Sequence, residues 1–226
     1  LVTIVEIMGR NAGWLTGAAA LSAGEDCEGP DLIYLPEVAF DIEDFLSRVK
    51  KLLEKKPFVI AAVSEGIRLE DGRYVCELTD GVDFVDAFGH KQLTGTANYL
   101  ARRLSQEIGC KTRSIELSSL QRAASHLASR IDILEAFQVG GAAVKAADEG
   151  DTGEMVILKR ISDDPYQCTT ELRNVHKVSN VEKTVPREWI NKNGTYVTEE
   201  FISYVRPLIQ GDVSPVMVDG IPRYLY

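Results

Sequence analysis

The stretch Val2-Thr3-Ile4-Val5-Glu6-Ile7-Met8-Gly9-Arg10-Asn11-Ala12-Gly13 decides the reading of this chain. Its first part, residues 2–8, is a short apolar run suited to a strand buried on both faces. The character changes at Met8-Gly9-Arg10. Gly9 lets a ligand approach the main chain, and Arg10 can fork onto a phosphate or a carboxylate. The Ala- and Leu-rich segment 11–22 then reads as a helix. Its N-terminus would add free N–H groups and the positive end of a dipole. Taken alone, a routine strand–helix turn with an exposed arginine fits these residues equally well.

Working outward, the same alternation continues. Leu32-Ile33-Tyr34-Leu35 is a second strand, stopped by Pro36. A helix over 42–54 starts after Asp41, a suitable N-cap, with Phe45, Val49, Leu52 and Leu53 at helical spacing. After Pro57, Phe58 to Val63 is a third buried strand. A helix over 94–108 puts Leu100, Leu104 and Ile108 on one face and stops at Gly109. A fourth strand covers 111–117. A long helix spans 131–149, a strand 154–160, and a helix 198–209 that Pro207 interrupts. Strands alternating with helices imply parallel pairing and right-handed crossovers. The expected fold class is α/β, a three-layer sandwich with a mostly parallel sheet and helices on both faces. The Asp- and Gly-rich stretch 66–93 is too long for an ordinary connection. It reads as a functional loop, a hairpin insertion or a disordered segment.

Composition narrows the function classes. A net charge of -9 over 226 residues argues against nucleic acid and anionic membranes as partners. It leaves room for an anionic small ligand held by a few local arginines. Cys27, Cys76, Cys110 and Cys168 show no CxxC spacing, which argues against zinc. Counting leaves one or two disulfides open, and a reduced cytosolic protein is the simpler reading. No run approaches the roughly 20 apolar residues of a membrane helix, and no signal peptide is visible. The chain opens on Leu1 in a strand-like run, which suggests a fragment or a processed chain. No Walker-type nucleotide loop is present.

In open α/β sheets, ligands sit outside the carboxyl ends of strands. After the third strand comes Ser64-Glu65-Gly66, where a carboxylate can accept hydrogen bonds from sugar hydroxyls. A capping or surface glutamate is the plainer alternative. Around the fourth strand, Arg113 lies near the beginning and Leu120-Gln121-Arg122 follows the end. Ala123, Ala124, Ser125 and His126 come next. Surface ion pairs of little energetic weight would explain each arginine singly. For three arginines beside strand ends, grouped with Glu65, that explanation weakens. His90, His126 and His176 are scattered, and only His126 falls near a candidate pocket. Trp14 and Trp189 read as packing residues, Asn193-Gly194-Thr195 as a turn, and Gly140-Gly141 as a place of close helix packing.

Together these segments resemble the phosphofructokinase family. Val5 through Leu15 looks like its sugar-phosphate-binding segment, with Pro36-Glu37-Val38 following in place. Ser64-Glu65-Gly66 resembles its sugar-binding strand end. Thr112-Arg113 and Leu117-Ser118-Ser119-Leu120-Gln121-Arg122 resemble its second arginine segment. Asp219-Gly220-Ile221-Pro222-Arg223-Tyr224 is similar to C-termini of the diphosphate-dependent branch. The resemblance implies that 1–226 is the C-terminal, fructose 6-phosphate-binding portion, with the donor-binding portion and its aspartate base lying upstream. Met8 and Gly9 would line the sugar through their backbone. Arg10 would stabilise charge on the transferring phosphoryl group. Glu65 would bind sugar hydroxyls, and Arg122 would hold the 6-phosphate. Arg113 would reach into a neighbouring subunit's site, which implies a homodimer or homotetramer. The intact enzyme would use Mg2+ and take its phosphoryl group from diphosphate or ATP. It would form fructose 1,6-bisphosphate in glycolysis, in the cytoplasm. The resemblance leans towards diphosphate. Ser119, where the family often has a bulky polar residue, and Ala123-Ala124, where it commonly has Gly-Gly, depart from the pattern. The alternative function is a non-catalytic sugar-phosphate-binding or regulatory module on the same fold.

Overall fold

A computed structural model of the chain describes residues 1–78 and 95–223, so most of the 66–93 stretch lies outside the described residues. The chain divides into two compact units, Leu1–Arg122 with Lys183–Ile202, and Ala123–Glu182 with Ser203–Tyr226.

The first unit is built on β1 (Val2–Ile7), β2 (Leu32–Tyr34), β3 (Val59–Ser64) and β4 (Thr112–Glu116). They form one four-stranded sheet in the order β2-β3-β1-β4. Every pairing in it is parallel, with Glu6 of β1 opposite Val63 on one side and Glu116 on the other. The chain leaves β1 for β2, returns to β3, and crosses β1 to reach β4. That reversal sits beside β1, and it is where parallel α/β sheets open a ligand crevice at their carboxyl edge.

Helices α2 (Ile42–Leu53) and α3 (Thr96–Ile108) cover one face of this sheet. Their Phe45, Val49, Leu100 and Leu104 join Val2, Ile4, Leu32, Tyr34, Ala61 and Val63 in a single core. Each fully buried side chain of this size contributes roughly 1.5–3 kcal/mol. Strand alternation turns Ile33 and Ala62 to the opposite face. There the short helix α1 (Trp14–Gly17) lies against β2 and β3. Trp14 stacks on Phe201 at 5.7 Å between centroids and meets Trp189 edge-on at 6.1 Å, so both tryptophans are packing residues as expected.

The caps follow the sequence. Asp41 accepts hydrogen bonds from Glu43 and Asp44 N–H at the start of α2. Gly109 ends α3 with φ of 72°, a left-handed value that glycine adopts without cost. Segment 11–22 departs from the expected single helix. It holds only α1 and then a 3-10 turn over Ala18–Ser22. Two glycines weaken helix propensity there, and tertiary packing decides the rest, because the Phe201 ring occupies the space beside Gly17.

Helix α4 (Ser118–Arg122) follows β4 directly and closes the first unit's main run. The second unit begins with α5 (Arg130–Asp148), capped by Ser129 accepting from Asp132 N–H at 3.1 Å. The strand expected at 154–160 is longer and is not parallel. β5 (Glu154–Asp163) pairs antiparallel with β6 (Tyr166–Asn174), a strand the sequence reading lacked. The connection Asp164-Pro165 is far too short for a parallel crossover, so a hairpin is the only pairing available. Helix α6 (Glu199–Val205) runs across the division, and its last turn becomes 3-10 at Pro207. The short hairpin β7 (Val216–Val218) and β8 (Ile221–Arg223) turns on Asp219-Gly220, both at positive φ. Among the described residues, Gly140-Gly141 marks no close packing: a Cβ at either position would meet none of their atoms within 4 Å.

Candidate functional site

The carboxyl edge of β1 and β3 brings together Met8, Gly9, Arg10 and Glu65. β1 ends at Ile7, and the chain then crosses in front of β3. Gly9 N–H donates to Glu65 Oε1 at 3.3 Å. The Ser64 hydroxyl donates to the Gly9 carbonyl. The two strand ends are therefore bonded to each other at consecutive residues. Glycine is required on both sides of this crossing. A Cβ on Gly9 would lie 2.7 Å from the Ala12 carbonyl oxygen, and one on Gly66 would lie 1.8 Å from the Arg10 carbonyl oxygen. The Arg10 main chain thus runs directly over Gly66, which places residue 10 at the sheet edge where Glu65 also stands.

Three further residues fix this loop, and none was assigned a role from the sequence. Gln121 Oε1 accepts from Met8 N–H at 3.0 Å, so α4 reaches across to the first strand end. Glu37 Oε1 accepts from Gly13 N–H at 2.9 Å and from Val185 N–H at 2.8 Å, joining the far end of the loop to the segment after Lys183. Asn11 Oδ1 accepts from Arg68 at 2.8 Å, and the same guanidinium group bonds the Tyr74 hydroxyl at 2.6 Å and stacks over its ring. Glu37 and Gln121 lie in segments the family resemblance includes, beside a strand end and beside Arg122. That neighbourhood was the available signal. Their hydrogen bonds are to main-chain atoms far away in sequence, which no local pattern reveals.

Arg122 is exposed at the end of α4, one residue past the Gln121 tether, so it stands at the same carboxyl edge. The turn into α4 is strained: Ser118 sits at φ of 42°, a left-handed value unusual for a residue with a side chain. Such strain persists where the surroundings over-determine the backbone, and it tends to gather at ligand sites. Arg113 is elsewhere. It is exposed on β4 opposite Thr3, three residues and about 10 Å of strand before Glu116. Within one chain, the structure does not bring Arg113 to the edge that carries Arg10, Glu65 and Arg122. His126 is exposed in the second unit, and His90 lies outside the described residues.

The sequence marks Glu6 as part of a strand and of the segment resembling a sugar-phosphate-binding one, with no role of its own. It is a carboxylate 5% exposed, next to the carboxyl end of the central strand. Burial pushes its pKa up from 4.5 to about 7; the Ala97 N–H opposes this, while Glu116 and Glu65 add to it. Chemically, the edge offers main-chain groups, one partly buried carboxylate and two arginines. That set suits a ligand with several hydroxyls and an anionic group. Among the described residues, no group of three or more His, Cys, Asp or Glu is placed to hold a metal ion.

Fold and edge together define an α/β protein whose parallel sheet carries glycines and arginines at its switch point, a candidate ligand site. Comparison with known proteins places it more narrowly. The family model described as Phosphofructokinase matches residues 1–147. Similar proteins include a pyrophosphate–fructose 6-phosphate 1-phosphotransferase of Halomonas elongata, 40% identical over 98% of this chain and 52% of that protein. One of the same name from Xanthomonas campestris is 39% identical over 99% of this chain and 53% of its own length. Among solved structures, the pyrophosphate-dependent phosphofructokinase from Marinobacter aquaeolei superposes with a TM-score of 0.83 at 33% identity, over 98% of this chain and 51% of that one. The chain belongs to the phosphofructokinase family. It spans about half the length of the relatives it matches.

Proposed function

We propose that this chain is the fructose 6-phosphate-binding part of a diphosphate-dependent 6-phosphofructokinase. The observation that carries the reading is the bonded crossing of Gly9 and Glu65 at the sheet edge, with Arg10 and Arg122 beside it. Main-chain groups of Met8 and Gly9 line the sugar. Glu65 accepts from its hydroxyls. Arg122 binds the 6-phosphate as a forked, permanently charged donor. Arg10 faces the incoming phosphoryl group and stabilises charge as it builds on the equatorial oxygens. Phosphoryl transfer is catalysed mainly by positioning and charge stabilisation of this kind. The pyrophosphate-dependent relatives favour diphosphate over ATP as donor. Donor, Mg2+ and the aspartate base are assigned to polypeptide outside this chain. The position of Arg113, away from its own edge, favours a homo-oligomer in which it serves a neighbouring subunit's site. Four free thiols agree with a cytoplasmic protein.

Calorimetric titration tests this. Fructose 6-phosphate is expected to bind this chain weakly, fructose much less, and Arg122→Ala is expected to cost at least about tenfold in affinity for the phosphate ester, as loss of a charge-assisted pair does. The same sample is expected to transfer no phosphoryl group from diphosphate or ATP. Equal binding of fructose and its phosphate, or an Arg122→Ala variant that binds normally, would contradict the assignment.

A further inference from the structure

The carboxylate of Glu6 lies just behind the loop that the functional reading uses. Its Oε2 accepts from Ala97 N–H at 2.8 Å, in the first turn of α3. A helix N-terminus leaves its first N–H groups without intrahelical partners. At α3 the residue before the helix is Gly95, which has no side chain to satisfy them. A side chain from the central strand, distant in sequence, takes the place of the local cap. The next link runs outward. The Thr96 hydroxyl, itself fully buried, reaches the Glu65 carbonyl at 3.4 Å. Glu65 in turn accepts from Gly9 N–H. β1, α3 and the turn after β3 are thus joined in a chain that begins at Glu6 and ends at the sugar-facing loop.

We propose that Glu6 is a positioning residue: it holds the first turn of α3 against the sheet, and through Thr96 it fixes the main chain of Glu65 and the Met8–Arg10 loop. This deepens the sugar-phosphate reading and rests on it only for its consequence for binding.

The surroundings make the strut sensitive to pH. Glu116 faces Glu6 from β4, Glu65 from the turn after β3, and Cys76 from the 3-10 turn Val75–Leu78. Burial and then Glu6 itself raise the Cys76 thiol to about 11, so it stays neutral here. α3 presents its N–H groups, which favour the charged form but do not outweigh burial. The closed arrangement therefore holds the proton up to about pH 7, whereas a solvated Glu6 releases it near 4.5. Opening the first turn of α3, which wets Glu6, becomes easier as pH rises between those values and levels off above them.

Amide hydrogen exchange followed by NMR tests this on the chain as it stands. In the wild type, the protection factor of Ala97 is expected to fall by about tenfold or more from pH 5 to pH 7, with little change above. Glu6→Gln keeps an acceptor and removes the charge, so it is expected to hold Ala97 protected with no such step. Glu6→Ala is expected to lower Ala97 protection by about tenfold and to weaken fructose 6-phosphate binding several-fold, with Glu6→Gln restoring both. A step retained in Glu6→Gln, a step of equal size at Val49 in α2, or Ala97 protection unchanged in Glu6→Ala would each overturn the proposal. If Glu6→Ala fails to fold, the Glu6→Gln pH comparison decides alone. A wild type that shows the Ala97 step yet binds no fructose 6-phosphate would support the strut and overturn the sugar-phosphate reading.

Discussion

Single residues at the carboxyl edge do work that their types alone announce only in part. The placement of Arg10, Glu65 and Arg122 at one sheet edge was legible because each follows a strand end. Glu6 was not legible as more than a strand residue. A charged side chain inside an apolar run says that it needs a partner, but the partner, Ala97 N–H, is a main-chain atom of a helix that begins 90 residues later. Gln121 and Glu37 escaped for the same reason. Gly66 makes the sharpest prediction at this scale. A Cβ there would lie 1.8 Å from the Arg10 carbonyl oxygen, and backbone cannot swing aside as a side chain tip can. Gly66→Ala is expected to destabilise the chain by roughly 2–4 kcal/mol and to remove fructose 6-phosphate binding, read by urea unfolding and calorimetry. A variant of unchanged stability would mean that the crossing of Arg10 over Gly66 is not formed as described.

Elements were legible where local signals were clear. α2 has the Asp41 cap and apolar spacing, α3 apolar spacing and the Gly109 stop, α5 follows the long helix expected at 131–149, and each lies within two residues of its expected bounds. β1, β2, β3 and β4 followed from short apolar runs between turn residues. Segment 11–22 misled because alanine-rich composition favours helix while its actual path is set by Phe201 packing onto Gly17. β6 was missed because Tyr166–Asn174 is mostly polar, and it is a strand only through its antiparallel bond to β5. The cap of α2 offers a direct check. Asp41→Ala removes the acceptor for Glu43 and Asp44 N–H and is expected to cost about 1 kcal/mol by urea unfolding, with Asp41→Asn nearly neutral. Equal losses in both variants would assign the effect to charge beside the helix dipole rather than to the cap bond.

At the scale of the whole molecule, sequence alternation gave a parallel α/β sheet, and the first unit has one. It did not give the division into two units, because the chain returns to the first unit after residue 182 and only contacts between distant segments reveal that return. The first unit carries all of the bonded loop geometry, from Met8 to Gln121. That this edge receives the sugar phosphate is tested most directly by a ligand footprint. Amide exchange with and without saturating fructose 6-phosphate is expected to show added protection at Met8 and Gly9, at Glu65 and Gly66, and around Gln121 and Arg122. Protection confined to other segments, or none at these three with the ligand demonstrably bound, would contradict the account.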